Sequence, residues 1–190
     1  SAAAIGNGSS SSSGFPTTAS VYATAGGDII MTNSQATGMF GVNAGGSVDI
    51  DGAAVGEDML ILSQGTATLA NVSVGDDLDV RAVGNITATN VRTTGSGPDT
   101  HILSYLPASG FTISQGEGNS AINGSDLTLT SSAGSIDATG LSAGDDILLS
   151  ANGTIGVNGA TTLGFGTTGG DSSIRTTGGD TTLANLDAFS

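Results

Sequence analysis

Cysteine, tryptophan and lysine are all absent from this chain of 190 residues. Without Cys there is no disulfide framework and no thiol chemistry, which suits an exported protein that stays unfolded until it is outside. Basic side chains number only three, Arg81, Arg92 and Arg175, against 17 acidic ones, for a formal charge of −14. Such a surface repels nucleic acid and anionic membranes, so neither is expected as a partner. No apolar stretch exceeds about one strand in length, which excludes a spanning helix. With 32 Gly, many Ser and Thr and no Lys, long helices have little to form from. No signal peptide is visible, and the chain opens Ser1-Ala2-Ala3 without a starting Met, as expected of a processed chain or of a fragment.

What the chain does have is an internal repeat. Gly56-Glu57-Asp58-Met59 is followed by Gly75-Asp76-Asp77-Leu78, and the phrase returns as Gly124-Ser125-Asp126-Leu127 and Gly144-Asp145-Asp146-Ile147. A weaker copy opens the series at Gly26-Gly27-Asp28-Ile29. About ten residues after the main phrases stands a second glycine, Gly65, Gly84, Gly134 or Gly153, and after it a second alternating segment, such as Ile86 and Ala88 or Ile155 and Val157. Then comes an Asn or Gly (Asn71, Asn90, Gly140, Gly159) and one more apolar residue.

Alternation of apolar with small polar residues is the signature of a half-buried strand. Gly, Asn and Asp supply the turns, because they accept left-handed backbone at low cost. A strand of five residues cannot bury its apolar face alone, but stacking each coil on its neighbour builds a continuous core. The expected fold is therefore all-β, a parallel β-helix of six or seven coils of 19–20 residues. At about 4.8 Å per coil the stack is roughly 30–35 Å long.

Residues 1–19 carry the Ser9–Ser13 run and read as a flexible arm or linker. Residues 20–190 form the β-helix, with insertions expected near 34–45 and 95–123 and a further irregularity at Gly164–Gly169. The 95–123 segment is expected to be one degenerate coil, through Phe111-Thr112-Ile113, carrying a loop. No cap is obvious at either end of the stack, so the terminal coils are expected to be open sheet edges.

The unit resembles the haemagglutinin-type repeats of filamentous-haemagglutinin-like bacterial exoproteins. The likeness is carried by Gly144–Val157 and Gly75–Ala88 and covers roughly residues 26–94 and 124–187. It implies a right-handed parallel β-helix fibre, an extracellular or bacterial cell-surface location, and adhesion or biofilm roles toward a host surface, a glycan or other cells. The family's N-terminal secretion motif is not found, so what is implied is a segment of the shaft.

Candidate chemistry is sparse. Aligned coils place Asp58 beside Asp77 and Asp126 beside Asp146, with Asp145 adjacent. Stacked carboxylates repel unless solvated or bridged, and Ca²⁺ suits hard oxygen ligands. The preferred reading is solvated turn residues, with no cofactor. A paired-carboxylate glycosidase uses such residues too, but acidic pairs that recur at repeat positions point to architecture, so no enzyme is expected. His101 is the only histidine and reads as an exposed loop residue. His101, Tyr105 and Phe111 make the 95–123 insertion the candidate binding loop; the competing reading is that Tyr105, Leu106 and Phe111 cover the flank of the helix. Three functions compete: a rigid shaft segment of a large exoprotein, a subunit of a filament joined end to end through open coils, and a carbohydrate-active enzyme.

Overall fold

A computed structural model describes residues 4–8, 20–95, 101–106, 110–115, 125–162 and 172–188. No helix occurs among them; the chain is built from strands that alternate between two sheets. The first sheet takes the short strands β2 (Ser20–Ala25), β4 (Phe40–Ala44), β6 (Met59–Ser63), β8 (Leu78–Ala82), β12 (Leu127–Ser131), β14 (Ile147–Ala151) and β16 (Ser172–Thr176). The second takes the eight-residue strands β3 (Ile29–Ala36), β5 (Val48–Val55), β7 (Ala67–Val74), β9 (Ile86–Thr93), β13 (Ile136–Ala143), β15 (Ile155–Thr162) and β17 (Thr181–Ala188). Both sets of seven pair in parallel, each strand with its counterpart one coil away. The fold is the expected parallel β-helix.

Each eight-residue strand is turned in its middle. Its fifth residue has positive φ in every coil: Asn33, Gly52, Asn71, Asn90, Gly140, Gly159 and Asn185. Only Gly and, at small cost, Asn hold this conformation. Two successive residues then face outward and the alternation restarts, as in the sequence of buried and exposed positions along Ile86–Thr93. The coil thereby presents three faces around one apolar interior. That interior is a set of columns, such as Ile29, Val48, Ala67, Ile86, Ile136 and Ile155, all buried.

The remaining corners are narrow. A methyl group on Gly75 would run into the carbonyl oxygen of Gly56, so glycine stands where main chain meets main chain. The corner before each long strand is stitched by side chains. The Ser47 N–H donates to Asp28 Oδ1 at 2.8 Å, Thr66 N–H to Ser47 Oγ at 3.1 Å, Ser135 N–H to Asn85 Oδ1 at 2.9 Å, and Thr154 N–H to Ser135 Oγ at 3.0 Å.

Four expectations need correction. Residues 34–45 are not an insertion: they hold the end of β3, a corner and β4, and Phe40 pairs with Met59 at the normal 19-residue spacing. Gly26-Gly27-Asp28 is not a copy of the Gly-acidic-Asp phrase but the corner before a long strand, in column with Gly46-Ser47, because Ser47 N–H bonds to Asp28. The 95–123 segment supplies no coil. It contributes an antiparallel hairpin, β10 (His101–Leu106) and β11 (Gly110–Gln115), which forms a sheet of its own. Within the expected N-terminal arm, β1 (Ala4–Gly8) is a strand that pairs antiparallel with the outer edge of β2, so that edge is covered. The rest of residues 1–19 and the Gly164–Gly169 irregularity lie outside the described residues.

Candidate functional site

The Gly-acidic-Asp corners stack into one edge of the prism. The amide of the residue after each Asp donates to the carbonyl of the next Asp: Met59 to Asp77, Leu78 to Asp126 and Leu127 to Asp146, at 2.8–2.9 Å. The order along the edge is therefore Asp58, Asp77, Asp126, Asp146. Two of their carboxylates take part in the stitching. Asp77 Oδ1 accepts the Asp126 N–H at 2.8 Å, and Asp126 Oδ1 accepts the Asp146 N–H at 3.2 Å. Bonds from a main-chain amide to an ionised carboxylate are stronger than neutral ones, so Asp77 and Asp126 each help hold the coil that follows. The reading of these residues as solvated fails for two of them, because Asp58 is 3% and Asp145 5% exposed.

Of the five acidic candidates the structure gathers three. One carboxylate oxygen each from Asp126, Asp145 and Asp146 lies within 4.8 Å of the others. Asp58 and Asp77 stand on earlier rungs of the same edge. Ca²⁺ takes roughly six to eight oxygens, and these three carboxylates, one of them already engaged with a main-chain amide, supply part of such a set.

The chain leaves the stack at this edge and returns to it. Leu78 and Leu127 are partners on adjacent rungs although 49 residues separate them, against 19 between Met59 and Leu78. The connection from β15 to β16 falls at the same corner two coils later, where Ile147 pairs with Ser172 across 25 residues. The break after β9 is closed by buried hydroxyls. Thr93 Oγ1 donates to the Ser125 carbonyl at 2.8 Å and accepts the Gly144 N–H at 3.2 Å, while Ser125 Oγ donates to the Gly95 carbonyl at 3.2 Å. Thr162, the last residue of β15, is likewise buried. In four other coils the same position is Ala36, Val55, Val74 or Ala143. A threonine in an otherwise apolar column was a legible mark of each long connection, and sequence reasoning missed it.

The hairpin places His101 at the start of β10, paired with Gln115, and makes Tyr105 and Phe111 cross-strand partners. All three stand on strands, not in an open loop. The β10 strand lies against β6. On the outer face there, Met39 and Leu60 are buried and packed with Tyr22 and Leu62. Burial of the Tyr22 phenol pushes its pKa up; the Ser20 hydrogen bond opposes this and the charge of Glu57 adds to it.

A different face carries a groove that sequence reasoning did not single out. It has a volume of about 330 Å³ and is lined by Asn71, Val72, Ser73, Asn90, Arg92, Gly140 and Ser142, on the adjacent strands β7, β9 and β13.

Comparison with protein-family models, with curated proteins and with solved structures yields no match.

Proposed function

We propose that this chain is a non-catalytic shaft segment of a bacterial surface or secreted protein, a rigid spacer whose length is set by its number of coils. The observation that supports the reading is the uniform register of both sheets through seven coils, unbroken where 30 or so residues loop out. Apolar side chains fill the interior columns and the corners are closed by main chain and small hydroxyls, so the repeat positions serve the stack. The resemblance to haemagglutinin-type repeats supplies the surface location and the adhesive setting.

The absence of Cys makes a direct test simple. Thr24 and Arg175 are exposed and lie in one outward column six rungs apart. Spin labels on Thr24→Cys and Arg175→Cys should give one narrow distance near 30 Å, from about 4.8 Å per rung. A broad distribution would overturn the rigid shaft. Turnover on a panel of acidic and neutral polysaccharides, lost in Asp145→Asn and Asp146→Asn, would overturn the non-catalytic reading.

One observation favours the filament alternative. On β17, Leu183 and Leu186 are 43% and 42% exposed, whereas Val157 and Ala160, one rung earlier in the same columns, are 3% and 4% exposed. The outer edge of β17 is ready to receive another coil, whatever chain supplies it. Electron microscopy of the purified chain distinguishes end-to-end fibres from single short rods.

A further inference from the structure

We propose that the groove on β7, β9 and β13 binds the carboxylate-bearing unit of an acidic saccharide, with Arg92 holding the carboxylate. Arg92 is one of three cations in the chain. Arg81 is spent on Asp79, which its Nη2 meets at 2.5 Å. Arg92 forms no ion pair among the described residues, and its Nε donates to Ser73 Oγ at 3.1 Å. That bond anchors the guanidinium at the groove and leaves its two terminal amino groups for a ligand, in the planar fork that suits a carboxylate.

The neighbouring asparagines have a fixed sense. Asn71 Nδ2 donates to Asp51 Oδ1 at 3.0 Å, and because a carboxylate only accepts, the Asn71 oxygen must face the next rung. Asn90 Nδ2 donates to it at 3.3 Å. The ladder thus ends on Asn90 Oδ1, an acceptor standing 3.0 Å from where a Cβ on Gly140 would be. The groove is open there because the ladder continues with Gly140 and Gly159, which have no side chain to fill it.

The lining selects a ligand class. Val72 is the one apolar side chain, and it is buried; apart from Gly140 the others offer carboxamides, hydroxyls and a guanidinium. There is no carboxylate and no aromatic or aliphatic wall, which disfavours lipids and apolar peptide side chains. Hydroxyls that both donate and accept, with one negative group, match these partners. The volume lies at the small end of ligand sites and suits about one sugar unit.

The groove sits on three central rungs, so it stands or falls independently of what the two ends of the stack join. The test is an NMR titration of the full ¹⁵N-labelled chain with a galacturonic acid trisaccharide, a neutral galactose trisaccharide and acetate. The acidic trisaccharide should shift the side-chain amides of Asn71 and Asn90 and the Arg92 Nε–H. Arg92→Gln should weaken it by about tenfold or more, as expected for loss of a charge-assisted bond, and Arg81→Gln should leave it unchanged. Gly140→Asn extends the ladder into the groove and should abolish binding while the melting temperature is kept, since Asn already holds the same backbone at Asn33, Asn71, Asn90 and Asn185. Absence of shifts at these groups, or equal affinity in Arg92→Gln, overturns the site. Equal affinity for the neutral trisaccharide or for acetate overturns the assignment to an acidic saccharide.

Discussion

At the scale of single residues, each position in a coil has a fixed direction, and substitutions at neighbouring corners should differ sharply. Ile147 is 1% exposed and stacks between Leu127 and the following rung. Ile147→Asp buries an unpaired charge and should cost several kcal/mol. Thr154 is exposed in the stitched corner, in the position that Asp28 and Asp180 occupy in other coils. Thr154→Asp should change the melting temperature very little, and equal losses for the two variants in thermal denaturation would contradict this register. Tyr22 makes a pH prediction. Its phenol pKa is raised by burial above the ordinary 10.0, so the folded state holds its proton more tightly than the unfolded chain. The resulting stabilisation is complete below pH 10 and is lost as pH rises through the folded value. Denaturant melts in mildly and strongly alkaline buffer should show a smaller alkaline loss in Tyr22→Phe.

At the scale of elements, the strands are held by ladders at their ends as well as along their length. Thr93 is the clearest case, because its hydroxyl replaces contacts that a continuous chain would make where the insertion leaves. Thr93→Val keeps the shape but takes the hydroxyl acceptor from the Gly144 amide, while the Ser125 carbonyl keeps the Asp145 N–H. A buried polar group left unsatisfied costs about 1–3 kcal/mol, so Thr93→Val should unfold at lower denaturant. Val74→Thr, in the same column where the chain is continuous, gains no such partners and should not be stabilising. Urea titration of both variants checks this.

At the scale of the whole molecule, stability is a sum of coils and the contacts between neighbours. The 95–123 excursion adds nothing to the in-register sheets, because Leu78 meets Leu127 directly. A variant with Gly95 joined to Ser125 should therefore keep its β circular dichroism and fold cooperatively. It should also bind more of an apolar dye, since β10 lies on β6 beside the buried Met39 and Leu60. Loss of folding would show that the hairpin is part of the stack and not an appendage.

The repeat made most of the fold legible. A period of 19–20 residues with two alternating segments admits few solutions, because short strands bury their faces only by stacking. The Asn or Gly at the fifth position of the long strand was also visible at Asn71, Asn90, Gly140 and Gly159. Asn33 was missed for a physical reason: two of the three corners of a coil are rich in Gly and Asp, so Gly26-Gly27-Asp28 aligns with the wrong one and residues 34–45 look superfluous. The acidic edge was readable as a column, but the burial of Asp58 and Asp145 was not, since burial depends on neighbours that the repeat pattern does not specify.

The sequence by itself determined the class of fold, the inward columns and the turning residues, all of which follow from local period and backbone preference. Only the tertiary structure decided that the two long connections, β9 to β12 and β15 to β16, fall at one edge, that three of five candidate carboxylates come together there, and that Asn71, Asn90, Arg92 and Gly140 line one groove. These depend on which rung lies beside which. A chain that loops out and returns to register breaks the link between sequence spacing and spatial distance, and only three-dimensional stacking restores it.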